Sequence, residues 1–376
     1  MRIFFWSTIV SIAALIIAFV YDSWSGLALC LILGVLEVSL SFDNAVVNAT
    51  ILERMSAYWQ KIFLTVGVVI AVFGMRILFP VLIVGLTAHL SPVGAWQLAM
   101  ERRPISDPTS YAAVLHQAHP LIAAFGGMFL LMLFLDFIFE ERDIQWLRWL
   151  ERPLAKLGKL DQLSVVVAGL ALVLAAEIAN TQTGTVLLSG ILGIITYIIV
   201  NGLGSLFEGA GDDEADAADG DAVDDADDGA VAGKSARSGR SQLVKATGRA
   251  AFFLFLYLEV LDASFSFDGV IGAFAITADP ILIALGLGLI GAMFVRSLTV
   301  YLVRKGTLAE YVYLEHGAHW AIGALAVILL VSIGVEVNEI VTGLVGVAFI
   351  GAAMLSSLLR NRKLRAQGSE PATMNA

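Results

Sequence analysis

Two short stretches hold the residues of this chain best suited to chemistry. Leu36-Glu-Val-Ser-Leu-Ser-Phe-Asp-Asn44 and Leu261-Asp-Ala-Ser-Phe-Ser-Phe-Asp-Gly269 agree at five of nine positions, and a sixth keeps a carboxylate. They supply Glu37, Asp43, Asp262 and Asp268 as acids, with Glu259 just upstream of the second. Asn44 adds an amide, and Ser41 and Ser266 add hydroxyls. Such oxygen donors suit Mg²⁺, Mn²⁺ or Ca²⁺ better than a soft metal. None of the five histidines lies in either stretch, which weakens the case for zinc or copper. On a helix, Glu37 and Asn44 are two turns apart and share a face, as do Glu259 and Asp262, three apart. Arg76 and Arg296 stand in the apolar segments that follow. They could simply neutralise the acids, but five acids against two arginines leave negative charge over, which favours a path for a cation.

The elements around these residues are apolar. Of the 376 residues, 58% are hydrophobic and only 15% charged, well below the quarter expected of a soluble domain. Ten apolar segments are expected, near 3–20, 27–51, 62–86, 118–139, 163–180, 185–201, 250–276, 281–303, 317–335 and 338–359. Most exceed the ~20 residues a helix needs to cross the hydrocarbon core. The chain therefore reads as an all-α polytopic membrane protein whose main partner is the lipid bilayer. The motif acids then lie inside the membrane. A lone carboxylate there costs on the order of 3 kcal/mol, so it survives by facing a cavity, pairing, or binding an ion. No nucleic-acid partner and no enzymatic machinery are expected, and the oligomeric state is left open.

Charge placement orients the segments. Basic clusters follow segments two, four and eight, precede segments one and seven, and end the chain. With ten spans all of them fall on one side, which is cytoplasmic by the positive-inside rule, and so are both termini. Arg102 and Arg103, in the loop near 87–117, run against the trend. Tryptophans near segment ends, such as Trp6, Trp24, Trp59 and Trp149, fit interface anchors. No small-residue cleavage site follows the first segment, so it reads as a retained span. Cys30 is the single cysteine, which excludes a disulfide within the chain.

The organisation is 1–203 as a first membrane half, 204–240 as a linker, 241–360 as a second half, and 361–376 as a tail. Glu208 to Asp228 carries eleven acids and no base, and the formal net charge of −10 belongs mostly to it. The linker is too poor in large apolar residues to build a core and is expected to be disordered on the cytoplasmic side. The two nine-residue copies lie in spans of opposite direction. Inverted repeats of this kind are a mark of transporters, whose substrates bind near the midplane where the repeats meet.

Ser-Phe-Asp-Asn in span two, a second Ser-Phe-Asp in span seven, and an arginine in each following span resemble the TerC-like integral membrane proteins. That family is associated with tellurium resistance and falls in a lysine-exporter-like superfamily, of which this chain looks like a divergent branch. The resemblance covers about 2–360 apart from the acidic linker. It implies Mn²⁺ efflux, with Glu37, Asp43, Asn44, Asp262 and Asp268 as metal ligands. Gly269 departs from the pattern where a second asparagine would complete the symmetry.

The expected function is divalent-cation efflux by alternating access, with the cation as transported substrate and no resident cofactor. Glu259, Arg76, Arg296, Ser41 and Ser266 would flank the site or line the ion's path. Export of a small amino compound is the alternative within transport, because an ammonium group could also sit on the acids. A membrane scaffold in a stress response would leave the intramembrane acids dispensable. An intramembrane aspartyl protease would need a Gly-x-Gly-Asp motif at its acids, and neither acidic stretch carries one.

Overall fold

The structure is a computed structural model that describes residues 2–160, 162–179, 182–218, 246–305, 311–335, 337 and 339–366. Helices make up nearly all of it, and among the described residues there is no strand. Large apolar side chains stand on the outside. Val20 is 79% exposed and Leu174 67%, which water would penalise and lipid tails would not. The molecule is an all-helical membrane protein. Among the described residues seven helices are long and apolar enough to cross a bilayer.

That number does not establish the expected ten, and the difference lies in three places. Helix α1 (Arg2–Leu40) breaks at Asp22 and Ser23, where Ser23 takes φ 53°. Gly26 then lies so close to the Ala18 carbonyl that only a hydrogen fits. In one straight helix those residues would be about 12 Å apart, so the chain doubles back. Its two limbs correspond to the segments expected at 3–20 and 27–51. The segment expected at 163–180 is shorter, a helix of 16 residues at Leu163–Ile178. At 1.5 Å per residue it reaches about 24 Å, less than the ~30 Å core. The acid-bearing segment at 250–276 is helical but is not among the seven.

From the second limb of α1 the chain passes through α2 (Phe42–Glu53) to one continuous helical span. That span begins as α3 (Ala57–Ile62), widens to π-type turns at Phe63–Gly67 and Ile70–Leu78, and ends as α4 (Phe79–Thr87). Short α5 (Pro92–Met100) and α6 (Tyr111–Gln117) lead to α7 (His119–Phe139). Amphipathic α8 (Arg148–Leu157), α9 (Leu163–Ile178) and α10 (Thr183–Ala218) complete the first half. The backbone of α10 stays helical to Ala218, past the expected linker start at 204. The rest of the linker lies outside the described residues.

The second half opens with α11 (Gly248–Ile276). Next come α12 (Pro280–Ile283), a π-type stretch at Ala284–Gly291 and α13 (Ala292–Lys305). Helices α14 (Leu314–Ser332) and α15 (Glu339–Ala366) follow.

The halves are packed crosswise. The second limb of α1 lies along the 280–305 span, with Leu33 against Gly286 and Glu37 against Gly291, so the two run parallel. In the mirrored pair α11 lies along the 57–87 span. Phe255 meets Phe63 and Glu259 meets Gly67, again in parallel. Helices α7 and α14 are antiparallel, Phe137 stacking on His319 and Ser332 reaching His119. These directions are those of an inverted repeat.

Relative sidedness follows. At one end Tyr21, Arg102 and Asp279 meet, joining three connections expected on the same face. Arg103 pairs there with Glu101 and Asp107. The two contrary arginines are thus neutralised where they sit. At the other end Ala246 pairs with Met55, and Arg142 reaches Glu315. Arg54 and Arg142, from the clusters after segments two and four, belong to that end.

Candidate functional site

The first acidic copy straddles a break. The helix is interrupted at Ser41, where α1 ends and α2 begins, whereas the second copy runs unbroken inside α11. Small residues at both copies allow such a break, and only the first uses it. The Ser41 hydroxyl donates to Glu37 Oε1 at 2.7 Å. Arg76, from a π-type turn of the neighbouring span, pairs with the same Glu37 oxygen and donates from Nη1 to the Ala71 carbonyl at 2.8 Å. Glu37 and Arg76 are 1% and 5% exposed, so neither charge is screened by water.

The second copy contributes differently. Asn44 Nδ2 donates to Asp262 Oδ1 at 2.6 Å, a bond between the two halves. Asp262 is buried and lies within electrostatic reach of both Arg76 and Glu37. Glu259 lies within similar reach of Asp262, and its Oε1 is buried with no hydrogen-bond partner. That oxygen faces Gly67, where a methyl group would lie 2.6 Å from it. The Ser266 hydroxyl is also buried without a partner. Wide π-type turns in both arginine-bearing spans line this region, a feature frequent at functional sites.

The structure therefore brings together Glu37, Ser41, Asn44, Arg76 and Asp262, with Glu259 beside them. Arg296 points elsewhere in part, since its Nε donates to the Leu64 carbonyl at 2.6 Å. The side chains of Asp43 and Asp268 lie outside the described residues, so their expected meeting is outside them too. Among the described residues no group of three or more His, Cys, Asp or Glu is spaced to hold a metal ion. Glu177 is exposed. Asp136 accepts a hydrogen bond from the Tyr197 hydroxyl at 2.7 Å.

Sequence reading overlooked two features. Asn48 lies one turn beyond Asn44, is 2% exposed, and has a buried amide oxygen without a partner. Its signal was the Asn-x-x-x-Asn spacing in an apolar segment. The second is another repeat. Tyr111 and Tyr311 are each followed, five residues on, by His-x-Ala-His: His116 to His119, and His316 to His319. Each copy lies at the start of the helix two spans after its acidic motif's span, α7 or α14. The repeat thus extends well beyond the acidic motifs.

Buried acids and amides at the meeting of two inverted helical halves define an integral membrane protein with a polar centre. The chain belongs to the family described as protein of unknown function (DUF475), whose model matches residues 42–364. No curated protein and no solved structure matches it.

Proposed function

We propose that this protein moves a divalent cation across the membrane, by alternating access between its inverted halves. The observation that carries the reading is the buried Glu259 oxygen without a partner, beside Asp262, which in turn lies within electrostatic reach of Glu37. Arg76 answers Glu37, while Asp262 is met by a neutral amide. Buried negative charge of this kind calls for a cation. Asp43 and Asp268 are the further acids of the two motifs and would complete an oxygen shell. The TerC-like motif favours Mn²⁺ as the cation and efflux as the direction. The positive-inside rule puts the basic end, both termini and the acidic linker in the cytoplasm.

Uptake of labelled Mn²⁺, Ca²⁺ and Mg²⁺ into proteoliposomes tests this. Asp262→Asn and Asp43→Asn change charge at nearly constant size and should each abolish uptake while the protein stays folded. Full uptake by both variants would sink the mechanism. Uptake of a labelled amino compound in place of any metal would favour the exporter alternative. Orientation is checked with a cysteine at Ser235, since native Cys30 is buried. Efficient labelling from outside intact cells would overturn the topology.

A further inference from the structure

The two His-x-Ala-His copies occupy equivalent places in the inverted halves but opposite ends of the molecule. Their surroundings differ sharply. At the basic end the pair is roofed. His316 Nδ1 lies 3.2 Å from Glu151 Oε2, and Glu151 is only 3% exposed although it belongs to the amphipathic helix α8. Glu151 also accepts from the Trp320 indole at 3.2 Å and from the Trp146 and Leu147 amides at 3.0 and 3.1 Å. Phe137 stacks on His319 at 3.6 Å, and Arg142 lies over Phe137 at 4.1 Å while reaching Glu315 at 3.5 Å. Helices α8, α7 and α14 are tied together there.

At the far end nothing equivalent among the described residues covers the pair. His116 is exposed and His119 half-buried, their rings 6.2 Å apart. Among the described residues neither makes an ion pair; the Ser332 hydroxyl lies 3.4 Å from His119 Nε2. His119 borders a cavity lined also by Phe79, Ile122, Gly126, Ala263 and Ser264. The cavity touches the second acidic stretch at Ala263 and Ser264, which follow Asp262 in α11. The repeat supplies an internal control. Ile122 lines the cavity, and its counterpart three residues past His319, Ile322, is fully buried.

We propose that the two histidine pairs mark the two gates of one path, and that Glu151 is the latch that keeps the basic-end gate shut in this state. The proposal rests on the transport reading above. Exchanging the environments of the two halves describes the other state: Glu151 released from His316 and Trp320, Ile322 accessible, Ile122 covered. Glu151 biases the balance because its hydrogen bonds exist in only one of the two states.

The test uses the full-length protein in liposomes, with Cys30→Ser as background and a single cysteine at Ile122 or Ile322. A water-soluble thiol reagent should modify the Ile122→Cys protein readily and the Ile322→Cys protein slowly. Adding Glu151→Gln, which keeps size and most acceptor geometry, should raise the Ile322→Cys rate about tenfold and lower the Ile122→Cys rate, as a shift in population requires. A thermal transition retained by the Gln variant separates gating from unfolding. Equal rates at the two cysteines in the parent, or no change at Ile322→Cys on adding Glu151→Gln, would overturn the latch. A transition lost by Glu151→Gln would overturn it too, making Glu151 a structural tether. Persistent Mn²⁺ uptake with no switch in access would sink the gates and spare the cation reading, and switching without cation movement would do the reverse.

Discussion

In the first half the repeat's buried acid is closed off. Glu37 holds Arg76 and Ser41, and its stem rests on Gly291 of the other half. In the second half the corresponding Asp262 has a neutral amide, Asn44, reaching over from the first half. Glu259, one turn earlier, keeps an oxygen with no partner. Two related nine-residue stretches are thus used differently, one as an anchored ion pair and one as a polar surface with charge to spare. The divergence traces to one position. The first copy ends in Asn44, which makes the bond between the halves, and the second ends in Gly269, which has no side chain to return it.

The comparison breaks most readily at its ion pair. Arg76→Ala strands Glu37 in the interior, and uncompensated buried charge costs about 3–5 kcal/mol. Asn44→Ala removes a hydrogen bond to a charged group, worth about 1.5–3 kcal/mol. Unfolding of both variants in the same detergent should rank them in that order. Equal losses would mean that the two halves are anchored alike.

A smaller effect tests the crosswise packing. Gly286 lies against Cys30 and Leu33, and a methyl there would come within 2.7 Å of the Cys30 carbonyl. Backbone cannot rotate away as a side chain can. Gly286→Ala should cost about 1–3 kcal/mol as overpacking, read in the same unfolding assay. At Gly74 the nearest neighbour of such a methyl is the Ile70 side chain at 3.4 Å, so Gly74→Ala should be close to neutral.

The smallest effect concerns the ends. Burial pushes the Glu151 carboxyl up, but hydrogen bonding and charge from His316, with the Leu147 amide and Trp320 indole, outweigh it and hold the group below its ordinary value of 4.5. A carboxylate depressed on folding stabilises above that value and loses the effect as pH falls through the lowered one. At the far end Thr109 and Arg103 hold Asp107 below 3.8 in the same sense, at an exposed site. Protection of the Leu147 and Thr109 amides from hydrogen exchange, taken relative to their intrinsic rates at each pH, should therefore fall below about pH 4 and stay flat above pH 5. Protection that rises on acidification would contradict both assignments.

Much of this was legible in the residues themselves. Apolar runs of the right length declare membrane helices, because lipid leaves a backbone no other partner than itself. Leu36–Asn44 against Leu261–Gly269 declares a repeat, and the basic clusters declare that its copies point opposite ways. Asp22 and Ser23 mark a turn by polarity alone. Other features depend on residues far apart in the chain meeting. Glu37 could have taken either arginine, and nothing in the spacing tells that Arg76 takes it while Arg296 reaches the Leu64 carbonyl. The amphipathic pattern of α8 suggests an interface, yet only packing turns Glu151 inward onto His316 and Trp320. Hydropathy and charge are properties of single residues, so the chain carries them wherever it folds. Which buried donor meets which acceptor depends on the crossing of helices tens of residues apart, and that is decided by the tertiary structure.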